Sequence, residues 1–117
     1  MTNKEIFNLY EGLTQLGESK EVKLKIQASY CLAYDKNVLE PLYQAIIEVR
    51  NQLLKEYGTT IDGGWTVPKE KVGEFKAKWD EFMEIENDVI LKGIRLQDMD
   101  GQVNLELMRM ILPLVQE

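Results

Sequence analysis

The side chains able to do chemistry are few in this sequence. Its one thiol, Cys31, lies between Tyr30 and Leu32 in a helical stretch, and there is no histidine to act as its base. Histidine's absence removes the Ser-His-Asp, Cys-His and His-ligated metal mechanisms. A cysteine in that setting reads as a buried, inert thiol. Asp80, Glu84 and Asp88 are four apart and share a helix face, where oxygen ligands suit Mg²⁺ or Ca²⁺. Helical carboxylate metal sites normally add histidine, so a solvated face is the simpler reading and no metal site is assigned. Asp98-Met99-Asp100-Gly101 begins like a calcium loop, but Leu107 stands where the closing glutamate is needed, leaving a turn.

Aromatic and cationic residues form the better constellation. Tyr30, Tyr34 and Trp65 can stack on a flat ligand, while Arg50, Arg95 and nearby lysines can meet a phosphate. Such a mixture can bind a nucleotide without a Gly-rich loop, and the sequence has neither a P-loop nor a G-x-G-x-x-G. Trp79 belongs to core packing. Trp65, on a turn, fits either packing or a contact surface.

These residues must be positioned by about four helices. Thr2 and Glu5 form a capping box, and Ile6, Leu9, Tyr10, Leu13 and Leu16 follow at helical spacing. The spacing predicts a helix over about 3–16, with Gly17 as a left-handed stop. Residues 22–26 alternate apolar and basic, which fits a strand or the start of the next helix. From about 28 to 57, Leu32, Leu39, Ile46 and Leu53 recur every seven residues, with Leu42 and Val49 in the same seam and Asp35 interrupting the register. Pro41 predicts a kink there.

Asp62-Gly63 between β-branched and aromatic residues predicts a hairpin over 59–67. Pro68 suits the first position of a helix over about 68–86, weakened by Gly73. Residues 89–96 read as extended and 98–101 as a turn. Asn104 caps a last helix that Pro113 shortens or bends. Two of the extended pieces (22–26, 59–67, 89–96) are candidates to pair in a small sheet.

The expected fold is mainly α, a helical bundle in one domain over 1–117, with one long kinked helix and short β-hairpin or extended segments. The chain has 117 residues, 14 basic and 20 acidic, for a net charge of −6. Its length suits one domain, and an acidic pI near 4.8 disfavours extended nucleic acid. No apolar run approaches a membrane span or a secretory leader, and one cysteine fits a reducing compartment, so a cytoplasmic, membrane-free setting is expected. A 30-residue helix is roughly 45 Å long, which predicts that it protrudes or is shared between protomers of a homo-oligomer.

Asn3-Lys4-Glu5-Ile6, Leu39-Glu40-Pro41-Leu42-Tyr43, Leu53-Leu54-Lys55-Glu56-Tyr57-Gly58 and Ile94-Arg95-Leu96-Gln97-Asp98-Met99-Asp100-Gly101 resemble segments of small phage and prophage proteins of Gram-positive bacteria. The resemblance implies a phage origin and the cytoplasm of an infected cell, and carries no active site with it. With the absence of catalytic groups, it leads to the expectation of a non-enzymatic accessory protein without a cofactor. Counter-defence is the favoured role, by sequestering a nucleotide-type immune signal or blocking a host defence protein. The alternative is tail or virion assembly, or chaperoning, through helix–helix contacts. An enzyme would have to work with carboxylates and a metal.

Overall fold

In the computed structural model the first helix, α1 (Asn3–Glu18), opens as its capping box requires. The Glu5 N–H donates to Thr2 Oγ1 (3.1 Å), and the Thr2 N–H donates to Glu5 Oε1 (3.0 Å). Ile6, Leu9, Leu13 and Leu16 lie on one side, nearly inaccessible to solvent. Gly17 does not stop the helix. The end comes at Ser19, in extended rather than left-handed conformation (φ −68°). The structure describes every residue except Asp62, Gly63, Gln102, Asn104 and Glu117, and all side chains except theirs and those of Thr60, Ile61, Leu96 and Gln116. The Asp62-Gly63 turn and the Asn104 cap lie outside the described residues.

The alternating segment after α1 resolves as a strand, β1 (Val22–Leu24). Its partner is not one of the expected extended pieces but the stretch read as a turn. The Lys25 N–H donates to the Asp98 carbonyl (2.8 Å), and α2 (Ile26–Tyr57) then runs for 32 residues. Its buried positions Ala28, Cys31, Asp35, Leu39 and Ile46 fall three, four or seven apart, as an inward helical stripe must. The helix continues through Pro41. The Asn37 carbonyl loses its helical partner there, and Asn37 is exposed, within reach of water.

A hairpin follows, β2 (Thr59–Ile61) with β3 (Gly64–Thr66), pairing Thr59 with Thr66. Pro68 precedes the next helix rather than opening it, and α3 spans Lys69–Met83, three residues short of the expected end. The chain then runs irregularly to β4 (Ile94–Arg95), so most of the 89–96 segment is not a strand. After a 3-10 turn, β5 (Met99–Gly101) pairs antiparallel with β1, Val22 opposite Gly101. Gly101 has φ +111°, and a Cβ there would collide with the Glu21 carbonyl. The last helix, α4 (Leu105–Ile111), stops two residues before Pro113. The end of the chain returns as β6 (Val115–Gln116), parallel to β4.

The fold is therefore mainly α, with two small antiparallel pairs and one parallel pair. One hydrophobic cluster joins the helices: α1 packs between α2 and α4, with Met83 of α3 and Ile94 of β4 at its edges. Where α1 crosses α4, Gly12 lets the backbones approach, since a Cβ there would sit 2.7 Å from Met110 Cβ. The chain measures 49 × 32 × 21 Å. The long dimension matches the roughly 48 Å of a 32-residue helix. No helix among the described residues is long and apolar enough to cross a membrane.

Candidate functional site

The first three turns of α2 divide their side chains between two environments. Cys31 and Asp35 turn inward, while Tyr30 and Tyr34, 58% and 41% exposed, stand beside them on the surface. Both pairs are four apart because that spacing returns a helix to nearly the same face. Across this face runs the strap of residues 87–95. Its start is tied to the N-terminus, where the Met1 ammonium donates to the Asn87 carbonyl (2.9 Å) and Asn87 Nδ2 donates to Asn3 Oδ1 (2.7 Å). Its far end is held by the β4–β6 pairing.

Asp35 pins the middle of the strap. Its Oδ1 accepts the Lys92 N–H at 2.6 Å, while its Oδ2 is buried with no hydrogen-bond partner among the described residues. Asp35 is fully buried, which pushes its carboxyl up to about 6 despite the lowering influence of the Lys92 N–H and ammonium. With its backbone fixed, Lys92 swings its ammonium over both rings, 4.9 Å from the Tyr34 centroid and 5.7 Å from that of Tyr30.

Beside this group opens a basin of about 390 Å³, lined by Gln27, Cys31, Lys92, Gly93, Arg95 and Asp98, among others. Two cations face one carboxylate in a chain whose net charge is −6. Gln27 Nε2 lies 4.0 Å from the Cys31 sulfur. The thiol is buried, as its helical setting suggested.

Of the five expected ligand-binding residues, Tyr30, Tyr34 and Arg95 gather around Lys92 and the basin. Arg50 does not join them. It lies sixteen residues beyond Tyr34 on α2, roughly 24 Å along the axis. Its charge acts instead on Tyr43, whose hydroxyl donates to Glu11 (2.7 Å) and whose pKa burial pushes up to about 12. Trp65 is at the opposite end of α2, on β3 against Gly58. Trp79 packs with Phe82 against the core, as its helical position implied.

The expected seam is distributed differently as well. Leu39 and Ile46 are buried within the chain's own core, and Leu32 and Leu42 pack half-buried against it. Leu39 and Ile46 therefore have no surface left for a second copy. Val49 and Leu53 lie beyond the reach of that core, beside α3.

Known protein families, curated proteins and solved structures offer no match to this chain. The basin must therefore be read from its own groups. Lys92 and Arg95 in its lining can meet anionic oxygens and Gln27 a polar edge, while the rings of Tyr30 and Tyr34, outside the lining, lie beneath the Lys92 ammonium and can stack. Lys92 and Asp35 were missing from the expected site. Asp35 carried a signal, as the one acidic break in an apolar heptad. Lys92 carried none, because its role depends on a strap that lies far from α2 in sequence.

Proposed function

We propose that this chain is a non-enzymatic binding protein that sequesters a nucleotide-type signal, an accessory counter-defence protein of the phage type working in the cytoplasm as a homo-oligomer. One observation carries the ligand reading. A single ammonium, Lys92, bridges two half-exposed tyrosine rings at the edge of a basin that also holds Arg95. A base stacked on Tyr30 or Tyr34 would place its phosphate toward Lys92 and Arg95, joining stacking to charge-assisted hydrogen bonds. The basin's volume of about 390 Å³ lies in the range of small-molecule pockets.

Isothermal titration against cyclic and ADP-ribose-type nucleotides tests this reading. Heat of binding is expected from at least one of them, weakened about tenfold or more by Lys92→Ala or Arg95→Ala, the scale of one lost hydrogen bond to a charged group. No heat from any of these nucleotides would remove the sequestration role.

A further inference from the structure

α3 is amphipathic, yet it leaves its apolar residues poorly covered. Of its fifteen residues only Met83 is buried, and Ile85 just beyond its end is 51% exposed. Along one side it forms an open groove with the second half of α2, lined by Val49, Leu53, Lys78, Glu81, Phe82 and Ile85. The groove is an apolar floor with one cation and one anion at its rim. Phe82 touches the central cluster, but Val49, Leu53 and Ile85 lie outside it. The radius of gyration, 16.7 Å, exceeds the roughly 13 Å of a compact domain of this length.

Charge along α3 is sorted by position. Lys69, Lys71, Lys76 and Lys78 fill its first two-thirds, against Glu70 and Glu74. Asp80, Glu81 and Glu84 follow with no basic residue among them. This puts acid at the helix C-terminus, where the macrodipole favours cations. The ion pairs among the described residues are Met1–Glu86 and Lys78–Glu56, and neither involves Asp80, Glu81 or Glu84. A second α3 lying antiparallel would supply cations, setting the basic part of each helix along the acidic part of the other.

We infer that this groove is the interface of a two-fold homodimer in which the α2–α3 ridges of two copies pack antiparallel. A two-fold interface must be self-complementary, and Lys78 with Glu81 on one apolar patch meets that condition. Lys78 of each protomer, whose exposed pair with Glu56 is long at 3.8 Å, also faces the partner's Glu81, while Val49, Leu53, Phe82 and Ile85 are covered. The interface differs from the leucine seam suggested by the heptads, four of whose members are already packed against the chain's own core. It does not depend on the ligand reading, since the basin lies at the other end of α2.

Sedimentation equilibrium of the full chain and two charge variants tests the proposal. The wild-type chain is expected at twice its 13.6 kDa mass, with dissociation favoured by salt. Lys78→Glu and Glu81→Lys each place like charges together and are expected to weaken the dimer at least about tenfold. Both positions are exposed, so a circular-dichroism melt of each variant should show a folded chain. Mixing the two variants in equal amounts should restore the dimer, because each then meets its opposite charge. A wild-type monomer at high micromolar concentration, a dimer unaffected by either substitution, or a mixture that stays monomeric would overturn the assignment.

Discussion

A carboxylate buried in a helix–strap contact costs stability whenever it is ionised. Asp35 is in that position, with one oxygen bonded to the Lys92 N–H and the other without a hydrogen-bond partner among the described residues. Its folded pKa, about 6, exceeds its ordinary 3.8. Between those values the folded chain binds more protons than the unfolded one, so Asp35's contribution to stability falls as pH rises from about 4 to about 6 and stays low above that. The shift corresponds to about 3 kcal/mol. Asp35→Asn keeps an oxygen for the Lys92 N–H and carries no charge. Urea unfolding at pH 4 and pH 7 should show the variant gaining on the wild type by up to about that amount at the higher pH. An equal difference at both pH values would mean that Asp35 is not the group titrating. Asp35→Ala has a separate signature. With no acceptor left for it, the Lys92 amide should exchange with solvent much faster than in the wild type, as read by NMR.

At the scale of elements, two glycines inside helices make opposite predictions. A Cβ at Gly12 would sit 2.7 Å from Met110 Cβ and 3.0 Å from Ile111 Cγ2, so Gly12→Ala must push α1 from α4. The expected loss is about 1–3 kcal/mol from overpacking, reduced by the gain in helix propensity. At Gly73 nothing lies within 4 Å, and Gly73→Ala should stabilise α3 by about 0.5–1 kcal/mol. Thermal unfolding should move down for the first and up for the second. Helix propensity alone favours alanine at both sites, and the difference comes from the α4 turn that meets α1. The same contrast decided which elements were legible. The capping box and the apolar stripe of α1 are local, and they formed as their spacing required. The 22–26 segment stayed ambiguous because a three-residue strand is defined by its partner, and β5 comes from residues that look like a turn.

Across the whole molecule, α2 separates two regions. The basin lies near its first turns, and Trp65 sits past its last one. If the ligand occupies the basin, Trp65→Ala should leave nucleotide affinity unchanged while Tyr34→Ala lowers it, a contrast that titration reads directly. Loss of binding in both would place the site elsewhere.

Period, caps and composition determined a mainly helical chain with one very long helix, and the absence of histidine restricted its chemistry. These are properties of neighbouring residues, set by the 3.6-residue repeat and by which groups can bond locally. Which aromatic residues share one surface, which apolar residues remain open, and what becomes of Asp35 depended on segments far apart in the chain. Lys92 reaches Asp35 across 57 positions. Its backbone N–H is common to almost every residue, and only the packing of the strap on α2 gives it a buried carboxylate as partner. Tertiary structure thus turned a break in a heptad into the anchor of the proposed site, and it divided five candidate residues between the two ends of a helix about 48 Å long.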